Sequence, residues 1–209
     1  MKPTHVAIEG PIGVGKTTLA RRLAARLGAR EVLEDVSNPF LADFYAGRSG
    51  AAFQCQAWFL LQRWRQMRDL AQLDLFAQGV VADYAFQKDR IFAWLNLEAE
   101  ELAVHDRLHL ELATGLPRPD LVILLQASDE VLEQRVRARG RTSEASLSRQ
   151  YLSDVNKAYM HYFFHYTDTP LLVVHASHVD LAGSDVHVDE LLRQIDAIER
   201  GTRYFVPGA

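Results

Sequence analysis

The chain contains a single cysteine, Cys55, among 209 residues. No internal disulfide is possible, and a reducing compartment is the simple reading. No apolar run approaches the roughly 18 residues of a membrane-spanning helix, so no membrane span is expected. Positive charge is not in excess: 23 Lys and Arg stand against 27 Asp and Glu, a net charge of −4. That argues against a nucleic-acid partner held by bulk charge. No internal repeat or low-complexity linker divides the chain. Met1-Lys2-Pro3-Thr4-His5 leads straight into β-compatible sequence without the pattern of a signal peptide, and a cytoplasmic protein is expected. His105 and His109 are four apart, as are His161 and His165. Neither pair has the Glu of H-E-x-x-H or a third nearby ligand, so structural roles are expected rather than a metal.

What is present is enough apolar sequence, 48% of the residues, for one sizeable core, and one domain spanning 1–209 is expected. Its most specific stretch is Gly10-Pro11-Ile12-Gly13-Val14-Gly15-Lys16-Thr17, followed by Thr18. This fits G-x-x-x-x-G-K-[ST], the phosphate-cradling P-loop. His5–Ile8 before it is short and β-compatible. After it, Leu19, Ala20, Leu23, Ala24 and Leu27 share one helical face, with Gly28 placed to end the helix. The glycines let backbone N–H groups converge at the positive end of a helix. Lys16 supplies a mobile charge for the β- and γ-phosphates, and the Thr17 hydroxyl suits Mg²⁺. ATP and Mg²⁺ are the implied cofactors.

Five β-like segments, His5–Ile8, Glu31–Leu33, Val80–Ala82, Leu121–Leu125 and Leu171–Val174, alternate with helical patterns over roughly 17–27, 51–77, 98–114, 129–139, 145–166 and 187–199. This alternation predicts an α/β fold: a five-stranded parallel sheet with helices on both faces. Ligands bind beyond the carboxyl ends of such strands. Polar residues stand there: Glu34 and Asp35 after the second segment, Asp83 after the third, and Ser128 after the fourth as a candidate N-cap. Asp83 is open to three readings: a carboxylate that accepts a proton from an attacking hydroxyl, a cap on the next helix, or a holder of Mg²⁺ through water.

Residues 135–141 read Arg-Val-Arg-Ala-Arg-Gly-Arg. Four cations in seven positions suit either a solvated helix C-terminus or a lid that closes over phosphates, with Gly140 as its flexible point. The expected lid spans about 135–146.

Taken in order, the motifs resemble the deoxynucleoside kinases, in particular the bacterial deoxyadenosine/deoxyguanosine kinase branch, with deoxycytidine kinase as a relative. The resemblance is carried by Ile8 to Thr18, Leu33-Glu34, Asn38-Pro39-Phe40-Leu41, Phe44-Tyr45, Gln56, Arg63, Asp83-Tyr84, Asp89-Arg90-Ile91-Phe92-Ala93, Arg139-Gly140-Arg141 and Glu144. It implies a P-loop kinase that passes the γ-phosphoryl group of ATP to the 5′-hydroxyl of deoxyadenosine, deoxyguanosine or deoxycytidine in nucleotide salvage, acting as a homodimer. It implies Asp83 as catalytic base and Glu34 as the carboxylate beside the 5′-hydroxyl. Tyr45 and Glu144 would bond the sugar 3′-hydroxyl, Gln56 would read the base edge with Arg63 and Asp89, and Phe92 would pack on the base. Arg135, Arg139 and Arg141 match the lid arginines, whereas Arg137 matches nothing and is expected to face solvent. One position departs from the pattern. Many eukaryotic relatives carry Arg directly after the catalytic carboxylate, where this chain has Tyr84, which can bond substrate or pack in the core.

Two rivals share part of this pattern. A nucleoside monophosphate kinase of thymidylate kinase type has the same P-loop and lid, but a carboxylate at Glu34 would repel an acceptor phosphate. A non-catalytic P-loop module needs neither Asp83 nor a lid.

Overall fold

In the computed structural model, residues 3–73, 79–141, 144, 146–177 and 184–207 are described. The strands are β1 (His5–Glu9), β2 (Arg30–Val32), β3 (Val80–Ala82), β4 (Leu121–Gln126), β5 (Leu171–His175) and β6 (Thr202–Phe205). The helices are α1 (Lys16–Leu27), α2 (Leu41–Tyr45), α3 (Ala51–Leu73), α4 (Lys88–Asn96), α5 (Ala99–Ala113), α6 (Asp129–Arg139), α7 (Arg149–Phe164) and α8 (Asp185–Ala197). All strand pairs are parallel, in the order β2-β3-β1-β4-β5-β6.

The period of two along the strands sorts their side chains onto two faces. Val6, Ile8, Leu121, Ile123, Leu125, Leu172 and Val174 face Leu19 and Leu23 of α1, Leu132 of α6, and Val188, Leu191 and Ile195 of α8. Ala7, Val122, Leu124, Leu171 and Val173 face Ile91 of α4 and Val155, Tyr159 and Phe163 of α7. A third cluster joins Val32, Val80, Ala82 and Tyr84 to Met67 and Leu70 of α3. Strands covered on both sides must be apolar throughout, which is why β1 and β4 are legible as short apolar runs.

The sheet has six strands, not the five expected. β6 extends it beyond β5, with Leu171 opposite Thr202 and Val174 opposite Phe205. As an edge strand its Thr202, Arg203 and Tyr204 are exposed, so it carries no apolar run to signal it. Helices α2 and α4 were also unforeseen. α4 buries Lys88 and Asp89 beside Ile91 and Ala93, and charged residues on the inner face erase the apolar periodicity. α3 is described as far as Leu73; positions 74–77 of the expected helix lie outside the described residues, as do 142, 143 and 145 of the expected lid.

Helix ends follow local chemistry. Gly28 closes α1 at φ 61°, and its N–H donates to the Ala24 carbonyl. Ser148 caps α7 by accepting from the Tyr151 N–H. Ser128 occupies the N-cap position of α6 but makes no capping side-chain bond.

Candidate active site

A cavity of about 230 Å³ opens beyond the carboxyl ends of β1, β2 and β3. Ile12, Gly13, Lys16 and Thr17 of the P-loop line it, with Glu34 after β2, Asp83 after β3, Gln56 and Arg63 of α3, Lys88 and Phe92 of α4, Tyr45 of α2, and Arg139, Arg141 and Glu144.

The P-loop half is a backbone construction. Gly10 has φ 145°, and a Cβ there would lie 2.5 Å from the Leu125 carbonyl oxygen. Gly13 has φ 85°, and a Cβ would meet Val136 Cγ2 at 2.7 Å. Both are positions only glycine fills without strain. The Val14 N–H donates to the Pro11 carbonyl across the turn, and α1 begins after Gly15. Thr18 follows in the first turn of α1. The Lys16 ammonium donates to the carbonyls of Gly10 at 2.7 Å and Pro11 at 3.0 Å. Burial, with Lys88 nearby, pushes its pKa down to about 8. A loop of convergent N–H groups with this lysine and a helix N-terminus matches the dense negative charge of a triphosphate.

The other half is a side-chain construction. Asp83 Oδ2 accepts from the Thr17 hydroxyl at 2.6 Å, and Oδ1 accepts from the Glu34 N–H at 2.7 Å. One carboxylate thereby joins the P-loop helix to the end of β2. Glu34 Oε1 accepts from Arg63 Nε at 3.0 Å and from its terminal nitrogen, while Oε2 accepts from Lys88 Nζ at 2.5 Å. Burial would raise the Glu34 carboxyl, but the charges of Lys88 and Arg63 outweigh it and hold it well below the carboxylate range. Arg63 also donates to Asp89 Oδ1. Burial pushes Asp89 up to about 6 against the pull of Arg63. Arg63, Lys88 and Asp89 are each at most 5% exposed, so two cations and two carboxylates neutralise one another in a dry setting.

Gln56 is buried on α3, seven residues before Arg63 and on the same face. Phe92 packs edge-on against Tyr159, with ring centroids 6.1 Å apart, while lining the cavity. Phe44, Tyr45 and Tyr151 make an aromatic wall with centroids 5.1 to 6.5 Å apart. Glu144 accepts from Arg139 at 2.6 Å and lies 3.6 Å from Arg141. Cys55 is a packed thiol that accepts from the Asn38 amide, and burial pushes it up to about 12.

The structure brings together Lys16, Thr17, Glu34, Tyr45, Gln56, Arg63, Asp83, Phe92, Arg139, Arg141 and Glu144 around the cavity. It places three expected residues elsewhere. Tyr84 is fully buried among Val32, Met67 and Ala82, and its hydroxyl donates to Gln66 Oε1 at 2.7 Å; it is not among the cavity-lining residues, which corrects the substrate-contact reading. Just past the end of β3, Tyr84 joins Val80 and Ala82 in the cluster against α3, while Asp83 lines the cavity. Arg135 is not among the cavity-lining residues. Its guanidinium donates to the carbonyls of Val14 and Ala176, pinning the P-loop to the end of β5. Asp89 reaches the cavity only through Arg63. Arg137 pairs with Glu133 and is exposed, as expected.

Two residues escaped sequence reasoning. Lys88 is adjacent to Asp89, yet a lone lysine at a helix start gives no sign of burial. Glu9 is 1% exposed at the end of β1, with burial pushing its pKa up. It accepts from the Ala85 N–H at 2.6 Å and the Tyr159 hydroxyl at 3.2 Å. Its signal was a charged residue closing an apolar strand directly before the P-loop.

Among the described residues, no cluster of three or more His, Cys, Asp or Glu side chains forms a metal cage. His105 and His109 are instead buried in α5, with His109 stacked 4.7 Å from Phe86. No helix of the described residues is long and apolar enough to cross a membrane.

A family model for deoxynucleoside kinases matches residues 6–199. The deoxyguanosine kinase of Bacillus subtilis is 37% identical over 158 residues, covering 74% of this chain and 75% of the relative. The deoxyadenosine/deoxycytidine kinase of the same bacterium is 27% identical over 206 residues, 94% of each chain. A solved structure of deoxyadenosine kinase from M. mycoides with bound dATP shares the fold at a TM-score of 0.80 and 22% identity, covering 92% of this chain and 99% of that one. With a P-loop facing a buried carboxylate network at the ends of β1, β2 and β3, and a family match across nearly its whole length, the chain belongs to the deoxynucleoside kinase family.

Proposed function

We propose that residues 1–209 act as one catalytic domain that transfers the γ-phosphoryl group of ATP to the 5′-hydroxyl of deoxyadenosine, deoxyguanosine or deoxycytidine, in nucleotide salvage. The observation that carries this reading is the pair of hydrogen bonds that Asp83 accepts, one from Thr17 on the donor side and one from the backbone N–H of Glu34 on the acceptor side. In the transfer, O5′ attacks phosphorus as the bridging bond to the β-phosphate breaks. ADP leaves with the electron pair, and the hydroxyl proton passes to Asp83. A carboxylate is far too weak to deprotonate an alcohol beforehand, but a loose transition state allows late transfer. Lys16, the loop N–H groups and the arginines 139 and 141 stabilise charge on the phosphoryl oxygens.

The Thr17 hydroxyl would hold Mg²⁺, with Asp83 Oδ2, 2.6 Å from it, reaching the ion through water. Held there, Mg²⁺ would supply positive charge against the β- and γ-phosphates. Gln56 offers both a donor and an acceptor to the base edge, the Arg63–Asp89 pair reads its exocyclic group, and Phe92 packs on the ring. Tyr45 and Glu144 bond the 3′-hydroxyl. Closure of arginines 139 and 141 excludes water that would otherwise consume ATP.

The charge balance favours this over a monophosphate acceptor. Arg63 and Lys88 are matched by Glu34 and Asp89, leaving no surplus cation at the acceptor end for a phosphate. A homodimer fits the exposed Leu61 of α3 and Val104 and Leu108 of the neighbouring α5. A cytoplasmic setting fits a small-molecule kinase with a free thiol. The test is a panel of nucleosides and monophosphates with ATP and Mg²⁺, scored for ADP release. Preference for monophosphates would move the assignment to the thymidylate kinase type, and no turnover on either would leave a binding module.

A further inference from the structure

Lys88 is a charged side chain of the cavity that the chemistry above leaves unused. It stands five residues after Asp83, in the first turn of α4, and is 5% exposed. Lysine is buried to that degree only when paired. Its Nζ donates to Glu34 Oε2 at 2.5 Å and lies 5.6 Å from the centre of the Phe92 ring. The other oxygen of Glu34 takes two donors from Arg63, which is itself shared with Asp89. Each oxygen of Glu34 therefore has its own cation. Directly after Asp83 there is no cation at all, because Tyr84 is turned into the core and bonded to Gln66.

We propose that Lys88 is a positioning residue for phosphoryl transfer: it fixes Glu34 against the acceptor 5′-hydroxyl and supplies the positive charge that the residue after Asp83 does not. The proposal rests on the 5′-hydroxyl reading above. As the phosphoryl group crosses toward O5′, it approaches Glu34 and Asp83, and a bare pair of carboxylates would repel it. Lys88 cancels one of those charges. It exchanges no proton, and the atom balance of the transfer is unchanged. It also removes the freedom of Glu34 to rotate away, and a displacement of about 1 Å at such a group can slow a reaction roughly a hundredfold.

The groups facing Glu34 are Arg63 from α3, Lys88 and Asp89 from α4, and Asp83 from the end of β3, with Glu9, Lys16, Tyr45, Tyr84 and Tyr159 in electrostatic range. Burial favours the protonated acid, while Lys88 and Arg63 hold it ionised. Removing Lys88 leaves Oε2 of Glu34 without the donor that holds it, while Arg63 keeps only Oε1.

The experiment compares wild type, Lys88→Met, Lys88→Arg, Glu34→Gln and the double variant Lys88→Met with Glu34→Gln, each checked for folding by thermal denaturation. Deoxynucleoside turnover by the wild type is read first; its absence sinks the functional reading, and with it the premise. Given turnover, Lys88→Met is expected to lose roughly tenfold to a hundredfold in kcat, with a smaller change in nucleoside KM. Lys88→Arg keeps a cationic donor for Glu34 and is expected to restore most of the lost kcat. The double variant is expected to lose no more than the worse single one, because both act through one carboxylate. Wild-type kcat in Lys88→Met, additive losses in the double variant, or an equal loss in Lys88→Arg and Lys88→Met would each overturn the proposal. If Lys88→Met does not fold, Lys88→Arg and the double variant, which leaves no unpaired charge at Glu34, carry the same decision.

Discussion

The two ends of the cavity are built by opposite means. The phosphate end is one continuous run, Gly10 to Thr18, whose shape comes from backbone conformation, with glycines at φ 145°, 85° and 108°. The acceptor end is assembled from Glu34, Tyr45, Gln56, Arg63, Asp83 and Lys88, contributed by five separate elements or their ends. The first recognises a ligand feature shared by all nucleoside triphosphates. The second places buried charges in register with one acceptor. The contrast teaches that the donor end depends on its backbone shape as well as on the Lys16 and Thr17 side chains, whereas the acceptor end depends on paired charges brought from separate elements.

Asp83 is where the two ends meet, and its replacement tests whether they are separable. Asp83→Asn is expected to cut kcat by about 10²–10⁴-fold while ATP affinity, measured by titration calorimetry, stays nearly unchanged. A parallel loss of ATP binding would show that the ends are one unit and break the comparison.

The backbone character of the donor end is sharpened by Gly13→Ala. The positive φ alone costs about 1–3 kcal/mol, and the new methyl meets Val136 at 2.7 Å and the Leu132 carbonyl at 3.0 Å. ATP affinity is expected to fall roughly tenfold to a hundredfold, with deoxynucleoside affinity retained. Equal loss of both ligands in a well-folded variant would contradict the division.

At the acceptor end, Arg63→Ala with Asp89→Ala removes the pair together, since removing one partner of a buried pair alone destabilises by about 3–5 kcal/mol. The ratio of kcat/KM for deoxyadenosine or deoxyguanosine over thymidine is expected to drop about tenfold, the worth of one charge-assisted hydrogen bond. An unchanged preference profile would show that Gln56 and cavity shape alone select the base.

A control lies outside both ends. Burial holds His109 down to about 4. Its folded pKa is below the unfolded value, so the stability it supports is present at neutral pH and fades as pH drops through the 6.5 to 4 window. From pH 7 to 5 the loss attributable to His109 is about 2 kcal/mol, visible as a falling Tm that His109→Phe flattens. Neither ligand affinity at pH 7 is expected to move; a change in either would tie α5 to the cavity.

The legibility of these parts in the sequence follows the same division. The P-loop, its flanking strand and helix, and the alternation that predicts a parallel sheet are all local patterns. Asp83 and Glu34 were legible as polar residues ending apolar strands. β6 was hidden because an edge strand need not be apolar, and α4 because its inner face carries Lys88 and Asp89. Tyr84 read two ways, since neither composition nor spacing says toward which face a residue after a strand turns.

By itself, then, the sequence determined the donor end and the layered sheet. Backbone conformation and apolar periodicity are set by neighbours in the chain, and both leave a contiguous mark. Only the tertiary structure decided that Glu34 shares Arg63 with Asp89 and takes Lys88 besides, that Arg135 bonds the P-loop backbone, and that Tyr84 belongs to the core. Those partners are 29, 54 and 121 residues apart for Arg63, Lys88 and Arg135. A buried charge selects its partner by which helices dock beside it, and docking is a property of the packed core rather than of any segment.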